Sequence, residues 1–146
     1  MHIHALGHVV LKVRNLERSI AFYRDFLGMK EVAHYRSSMV FFSFGSNHHD
    51  LGLLQTGEHA SQPDQACTGL YHVAFKVGDS LGELRECKTH LEQHGVPILG
   101  TSDHGVSQSL YIHDPDGIEI ELYVDADPAV WRDDPAAVAT VRPLRL

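Results

Sequence analysis

Two histidines stand at the head of nearly identical strings. His8-Val9-Val10-Leu11-Lys12-Val13 recurs in the second half of the chain as His72-Val73-Ala74-Phe75-Lys76-Val77, and the second copy runs on to a strand-like stretch ending in Glu121. Two imidazoles and a carboxylate make a 2-His-1-carboxylate centre, which leaves open positions on one face of a metal and suits Fe(II), with Mn(II) as a relative. A duplicated module sets equivalent residues about a pseudo-twofold axis, so the repeat is expected to bring His8 and His72 together while the last strand adds Glu121. No local spacing motif links the three; the repeat does. A lone histidine in an apolar strand is more often a core residue. Glu119 and Glu121 alternate against Ile118, Ile120 and Leu122, so on pattern alone their face could simply be wet. The repeat-equivalence of the two histidines is what favours a metal.

The elements that must position these residues are legible twice. In module one (1–56), residues 5–13 read as a strand, and Asn15 caps a helix carrying Leu16, Ile20, Tyr23 and Leu27 that stops at Gly28. Strand-like runs follow at about 30–36, 38–44 and 50–55, with a turn at Gly45-Ser46-Asn47. Residues 57–68 are polar and aperiodic and read as a linker. Module two (69–125) repeats the order: a strand over 70–78, a helix over about 80–94 closed by Gly95, and strands at about 96–101, 107–113 and 118–124. Asp114-Pro115-Asp116-Gly117 marks the turn between the last two. The tail, 126–146, carries three prolines and the sole tryptophan, Trp131, with a short helical turn expected near 128–132. The expectation is an α+β fold of two tandem βαβββ modules. They would form one curved mixed sheet around a metal-containing cavity, with helices outside. Sliding one module over the other so that Phe44 meets Ile112 pairs Glu121 with Leu53, which cannot bind metal, so a fourth ligand would have to come from Asp50 by a shift of register.

Composition excludes several classes. The net charge of −7 argues against nucleic acid or an anionic membrane surface as partner, and no apolar run approaches a membrane span. The first seven residues lack a charged region followed by a long apolar one, and Cys67 and Cys87 form no spacing motif. A cytoplasmic location with free thiols is the expectation. Of the 12 histidines, His2, His4, His59, His90 and His94 fall at the terminus, in loops or on solvated helix faces.

With these residues in place, the chain resembles the vicinal oxygen chelate superfamily over residues 5 to about 125, and within it the type I extradiol dioxygenases of the catechol 2,3-dioxygenase kind. Leu6-Gly7-His8 resembles the strand of the first metal ligand, and Tyr71-His72-Val73-Ala74-Phe75 that of the second. The stretch with His104, Leu110-Tyr111, Asp114-Pro115, Gly117 and Glu121 matches the family signature in register, with Ser102 a minor departure. Asn47-His48-His49-Asp50 resembles the loop that carries the acid–base histidine. The resemblance implies Fe(II), or Mn(II), on His8, His72 and Glu121. It implies His49 as acid–base group, and Tyr111 and His104 as hydrogen-bond partners of an aromatic diol that is cleaved with O2. Against these roles stand a plain turn residue for His49, a solvated loop histidine for His104 and a core aromatic for Tyr111. Many extradiol enzymes carry a second, non-catalytic copy of the domain; this sequence shows one copy. That leaves Trp131 and the tail as candidates to cover the cavity mouth or to make a homodimer contact.

Three rivals fit less well. A thiol transferase of the fosfomycin-resistance kind needs cations for a phosphonate, and residues 101–109 contain no Lys or Arg. A glyoxalase- or epimerase-like lyase or isomerase is weakened by Leu53 in place of a fourth ligand. A metal-free binding module of the bleomycin-resistance kind has no need of the triad with His49 and Tyr111.

Overall fold

The computed structural model describes residues 1–63 and 66–146. Part of the expected linker, residues 64 and 65, lies outside the described residues. The chain divides into two compact units, Met1–Ala66 and Cys67–Leu146.

In the first unit, strand β1 (Val9–Val13) leads into helix α1 (Leu16–Ile20), which widens into a π-helical turn (Ala21–Phe26). Strands β2 (Lys30–Tyr35), β3 (Met39–Ser43) and β4 (Leu51–Gln55) follow. They form one sheet in the order β1-β4-β3-β2, with β1 and β4 parallel. Asn15 caps α1 as the sequence suggests, its side chain accepting from the Arg18 N–H at 2.9 Å. The wider turn is marked by the Leu27 N–H bonding five residues back, to the Phe22 carbonyl, at 2.9 Å. Gly28 ends the helix with a positive φ, in the left-handed region open to glycine. Leu11, Val13, Tyr23, Phe42, Leu51 and Leu53 are buried in this unit's core.

The second unit repeats the order: β5 (His72–Gly78), α2 (Leu81–Gln93), β6 (Gly100–Asp103), β7 (Ser107–His113) and β8 (Glu119–Asp125). The tail adds α3 (Ala129–Asp133), a 3-10 turn (Pro135–Ala139) and a two-residue strand β9 (Arg142–Pro143). This sheet runs β5-β8-β7-β6-β9, with β5 and β8 again parallel. Ser80 and Glu83 cap α2 reciprocally: the Ser80 hydroxyl accepts from the Glu83 N–H, and the Glu83 carboxylate accepts from the Asp79 N–H at 2.9 Å. Leu84, Leu91, Leu110, Ile112, Ile120 and Leu122 are buried in this unit's core.

The α+β class and the twice-used βαβββ order are those expected, with strand pairing closed inside each module as sheets of four and five strands. The differences lie at strand starts. β1 begins at Val9 rather than residue 5, because its partner β4 begins at Leu51 and the ladder has nothing to pair with earlier residues. Leu6 is accordingly exposed, as are Leu70 and Tyr71 ahead of β5. β6 starts at Gly100 rather than 96, because the Val96 N–H turns back to the Leu91 carbonyl and closes the helix end. The sequence signalled a helical turn in the tail but not β9, whose two residues carry no alternation.

Each unit's own pairing also corrects the internal alignment. Ala74 lies opposite Glu121 in the second unit, and its counterpart Val10 lies opposite Gly52 in the first. Gly52, not Leu53, therefore occupies the place that matches Glu121. A Cβ at Gly52 would lie 3.2 Å from the Val10 side chain, so this place is kept small. Leu53 points into the core.

Truncating a fully buried core residue removes its transfer free energy and leaves a cavity. Leu84→Ala, on α2, is expected to destabilise the metal-free protein by about 2–5 kcal/mol in urea unfolding.

Candidate metal centre

The turn at Asp114–Gly117 governs the site on the second unit. One Asp114 carboxylate oxygen accepts from the Asp116 N–H at 2.9 Å and the Ile118 N–H at 2.8 Å, and the Asp114 N–H bonds to the Ile118 carbonyl. Gly117 takes a positive φ, in the left-handed region where a side chain would be strained. The turn is thus locked, and the register it sets places Tyr111 opposite Glu121 and Ser109 opposite Tyr123. On β8, Ile120, Leu122 and Val124 fill the core while Glu119, Glu121 and Tyr123 share the other face.

Glu121 is only 9% exposed. One carboxylate oxygen, Oε1, accepts from the Ser109 hydroxyl at 2.5 Å, and the other, Oε2, lies 3.0 Å from Nε2 of His72. His72 opens β5, where its Cα pairs with Glu119, so it approaches Glu121 diagonally across the small side chain of Ala74. Its Nδ1 is buried with no hydrogen-bond partner, and the nearest carboxylate, Glu119, is 3.6 Å away. Two donors each about 2.1 Å from one ion and at right angles stand about 3.0 Å apart, so the His72–Glu121 spacing fits adjacent ligands of a single metal. Within either unit, among the described residues, no three His, Cys, Asp or Glu side chains are gathered to hold an ion. This unit supplies a pair.

Tyr111 and His104 flank the pair. The Tyr111 ring centroid is 6.0 Å from that of His72, and its hydroxyl is 2.8 Å from Nε2 of His104. Burial first, then the charge of Glu121, pushes the Tyr111 phenol from 10.0 up to about 12. His104 sits in a tight turn, its N–H bonded to the Ser107 carbonyl, and its Nδ1 is 3.0 Å from the Thr140 carbonyl oxygen in the tail. Trp131 lines a cavity of about 350 Å³ together with Val106, Ser107, Tyr123, Asp125, Pro135 and Val138.

The first unit holds His8 and His49 together, their ring centroids 4.3 Å apart. The loop between β3 and β4 is tied down on several sides. The Ser43 hydroxyl donates to the Asn47 carbonyl at 2.7 Å, and the Asn47 amide donates to the Gly7 carbonyl at 3.0 Å, next to His8. Nδ1 of His48 and Nδ1 of His49 are 2.6 Å apart, and Phe41 meets the His49 ring edge-on at 5.1 Å. Partial burial, with His8 and His48 nearby, lowers the His49 pKa below the ordinary imidazole value. A neutral ring that can accept a proton follows from that direction.

Sequence reasoning thus singled out His72, Glu121, Tyr111 and His104, which the second unit assembles, and His8 and His49, which the first unit pairs. It missed two groups. Ser109 shares a face with Tyr111 two residues on, so strand alternation could have found it. The Thr140 carbonyl had no sequence signal, because a backbone oxygen reached from an irregular tail leaves none.

A family model described as Glyoxalase/Bleomycin resistance protein/Dioxygenase superfamily matches residues 5–122. The chain is 35% identical over 132 residues to a catechol-2,3-dioxygenase of Bacillus subtilis (strain 168), covering 88% of this chain and 44% of that protein. It is 33% identical over 121 residues to biphenyl-2,3-diol 1,2-dioxygenase 3 of Rhodococcus globerulus, covering 82% of this chain and 63% of that protein. The chain therefore spans about half the length of these curated relatives. Among solved structures, a lactoylglutathione lyase from Agrobacterium tumefaciens superposes with a TM-score of 0.65 at 28% identity, covering 82% of this chain and 92% of that one. No helix is long and apolar enough to cross a membrane, among the described residues.

The raised Tyr111 pKa has a measurable sign. The native state holds this proton to higher pH than the unfolded chain, so the stability it contributes is full below pH 10 and is lost as pH rises toward about 12. In alkaline titration of the metal-free protein, the phenols of Tyr111 and Tyr123 are both expected to ionise late, Tyr111 at about 12. Tyr111→Phe should remove the step at about 12 and leave the late ionisation of Tyr123.

Proposed function

Since the chain belongs to the glyoxalase/bleomycin resistance/dioxygenase superfamily, we propose that it is a metal-dependent extradiol dioxygenase, opening the ring of a catechol-type aromatic with O2. The observation that carries this reading is the His72–Glu121 donor pair at 3.0 Å with Tyr111 and His104 beside it. In this reading His72, Glu121 and His8 would hold the ion, a 2-His-1-carboxylate donor set suited to Fe(II) or Mn(II). The bound ion would supply open positions where an aromatic diol and O2 meet and exchange electron density.

The chain's own residues orient the reactants and move protons. The Ser109 hydroxyl fixes one oxygen of Glu121, so the other stays aimed at His72. Tyr111 remains a neutral phenol at physiological pH and can hydrogen-bond a diol oxygen without adding charge beside Glu121. His104 aligns that hydroxyl. His49, with its lowered pKa, is neutral at physiological pH and can take a proton from a catechol oxygen and return it later, as a positioned acid–base group. Both atoms of O2 end in the ring-opened product, a muconic semialdehyde type compound. A cytoplasmic enzyme of aromatic breakdown is the setting this chemistry suits.

One observation favours a second reading. The chain matches nearly the full length of a solved lactoylglutathione lyase, whereas it spans about half of the curated dioxygenases. A metal-dependent lyase or isomerase of that kind takes a fourth protein ligand from module one, and Gly52 at the place matching Glu121 cannot provide it.

Oxygen uptake by Fe(II)- or Mn(II)-loaded protein across a catechol panel separates the readings. Catechols are expected to consume O2 and give a yellow product while monophenols stay inert, and His49→Phe should lose about 10²–10⁴ in turnover with its metal retained. No uptake with any catechol, together with isomerisation of a hemithioacetal, would overturn the dioxygenase reading.

A further inference from the structure

The tail crosses back over the site-bearing sheet and is fastened there. β9 pairs with the edge of β6 at Ser102 and Asp103, and the Thr101 hydroxyl donates to the Leu144 carbonyl at 2.8 Å. Between β9 and the 3-10 turn, the Thr140 carbonyl oxygen lies 3.0 Å from Nδ1 of His104. Gly105, with a positive φ, lies under the tail: a Cβ there would meet the Ala137 carbonyl oxygen and Thr140 at 3.8 Å, an ordinary contact distance.

A carbonyl oxygen can only accept, so Nδ1 of His104 must carry the proton. In the neutral ring Nε2 is then a bare lone pair, and its partner, the Tyr111 hydroxyl, must donate to it. Tyr111 has one proton, and a second acceptor, the carboxylate of Glu121, is carried by the residue opposite it across the β7–β8 ladder. With the opposite tautomer, Nε2–H would donate to the Tyr111 oxygen and the phenol proton would turn to Glu121. There it would compete with a cation for a carboxylate oxygen.

We infer that the C-terminal tail is a positioning element. Through the Thr140 carbonyl it fixes the tautomer of His104, which draws the Tyr111 proton away from Glu121 and leaves that carboxylate free for metal. The consequence for metal rests on the proposed role of Glu121; the tautomer does not.

The test is nitrogen NMR of histidine-labelled, metal-free full-length chain at a pH where the ring is neutral, with His104 assigned by its loss in His104→Gln. Wild-type His104 should show a protonated Nδ1 and a bare Nε2. A chain ending at Ala139 should lose that fixed pattern and bind Mn(II) about tenfold more weakly, the lower end of the loss seen when a partner of a metal ligand is removed. Thr140→Ala, which keeps the carbonyl, should match wild type in both. Should the shortened chain not fold, Thr101→Val loosens the same anchor at full length, and its His104 should show a mixture of tautomers. A wild-type Nε2–H tautomer, or an unchanged pattern in the folded shortened chain and in Thr101→Val, overturns the inference. A lost tautomer with unchanged Mn(II) affinity overturns the consequence for Glu121. If the tautomer behaves as stated but no variant binds metal, the metal reading fails and the lock stands.

Discussion

The site on the second unit depends on one register, Tyr111 opposite Glu121. Side chains on a strand alternate with a period of two, so a slip of one residue between β7 and β8 would turn Glu121 into the core and Ile120 toward His72. Two features forbid the slip. The Asp114 carboxylate and Gly117 close the turn in one way, and Leu110, Ile112, Ile120 and Leu122 accept only burial. The fold's stability and the carboxylate's aim are therefore the same constraint: the apolar residues that make the core worth forming leave Glu119, Glu121 and Tyr123 no other face.

A buried carboxylate is costly unless its lone pairs are met. Ser109 meets one oxygen of Glu121, and the other faces Nε2 of His72. His72 Nδ1 is buried without a hydrogen-bond partner, so the one polar contact that holds this ring at close range is that of Nε2 with Glu121. The hydrogen-bond chain from Thr140 through His104 to Tyr111 then sets where the protons sit around that carboxylate. A site of this kind relies on acceptors and donors placed in advance, because each group has a single proton to give.

The parts legible in the sequence were those with a period or a repeat. Alternation revealed β7 and β8, the capping residue Asn15 marked a helix start, and the duplicated string marked His8 and His72. What was not legible came from pairing between distant residues. Where β1 and β5 begin is decided by where β4 and β8 begin, which no local pattern states. The counterpart of Glu121 was misassigned to Leu53 because a uniform slide ignores a small offset that only ladder register reveals. β9 and the Thr140 carbonyl act through the backbone, which a side-chain reading does not see. The family resemblance, by contrast, rested on His104, Tyr111, Pro115, Gly117 and Glu121 in fixed spacing, and the match over residues 5–122 bears it out.

The central claim is that His72 and Glu121 ligate one metal ion. Titration of metal-free protein with Mn(II), followed by the loss of the free-ion EPR signal, tests it directly. One ion is expected to bind per chain in wild type, with affinity reduced by at least about tenfold in both Glu121→Gln and His72→Ala, each checked for retained fold. Absence of stoichiometric binding in wild type, or binding unchanged by both substitutions, would contradict it.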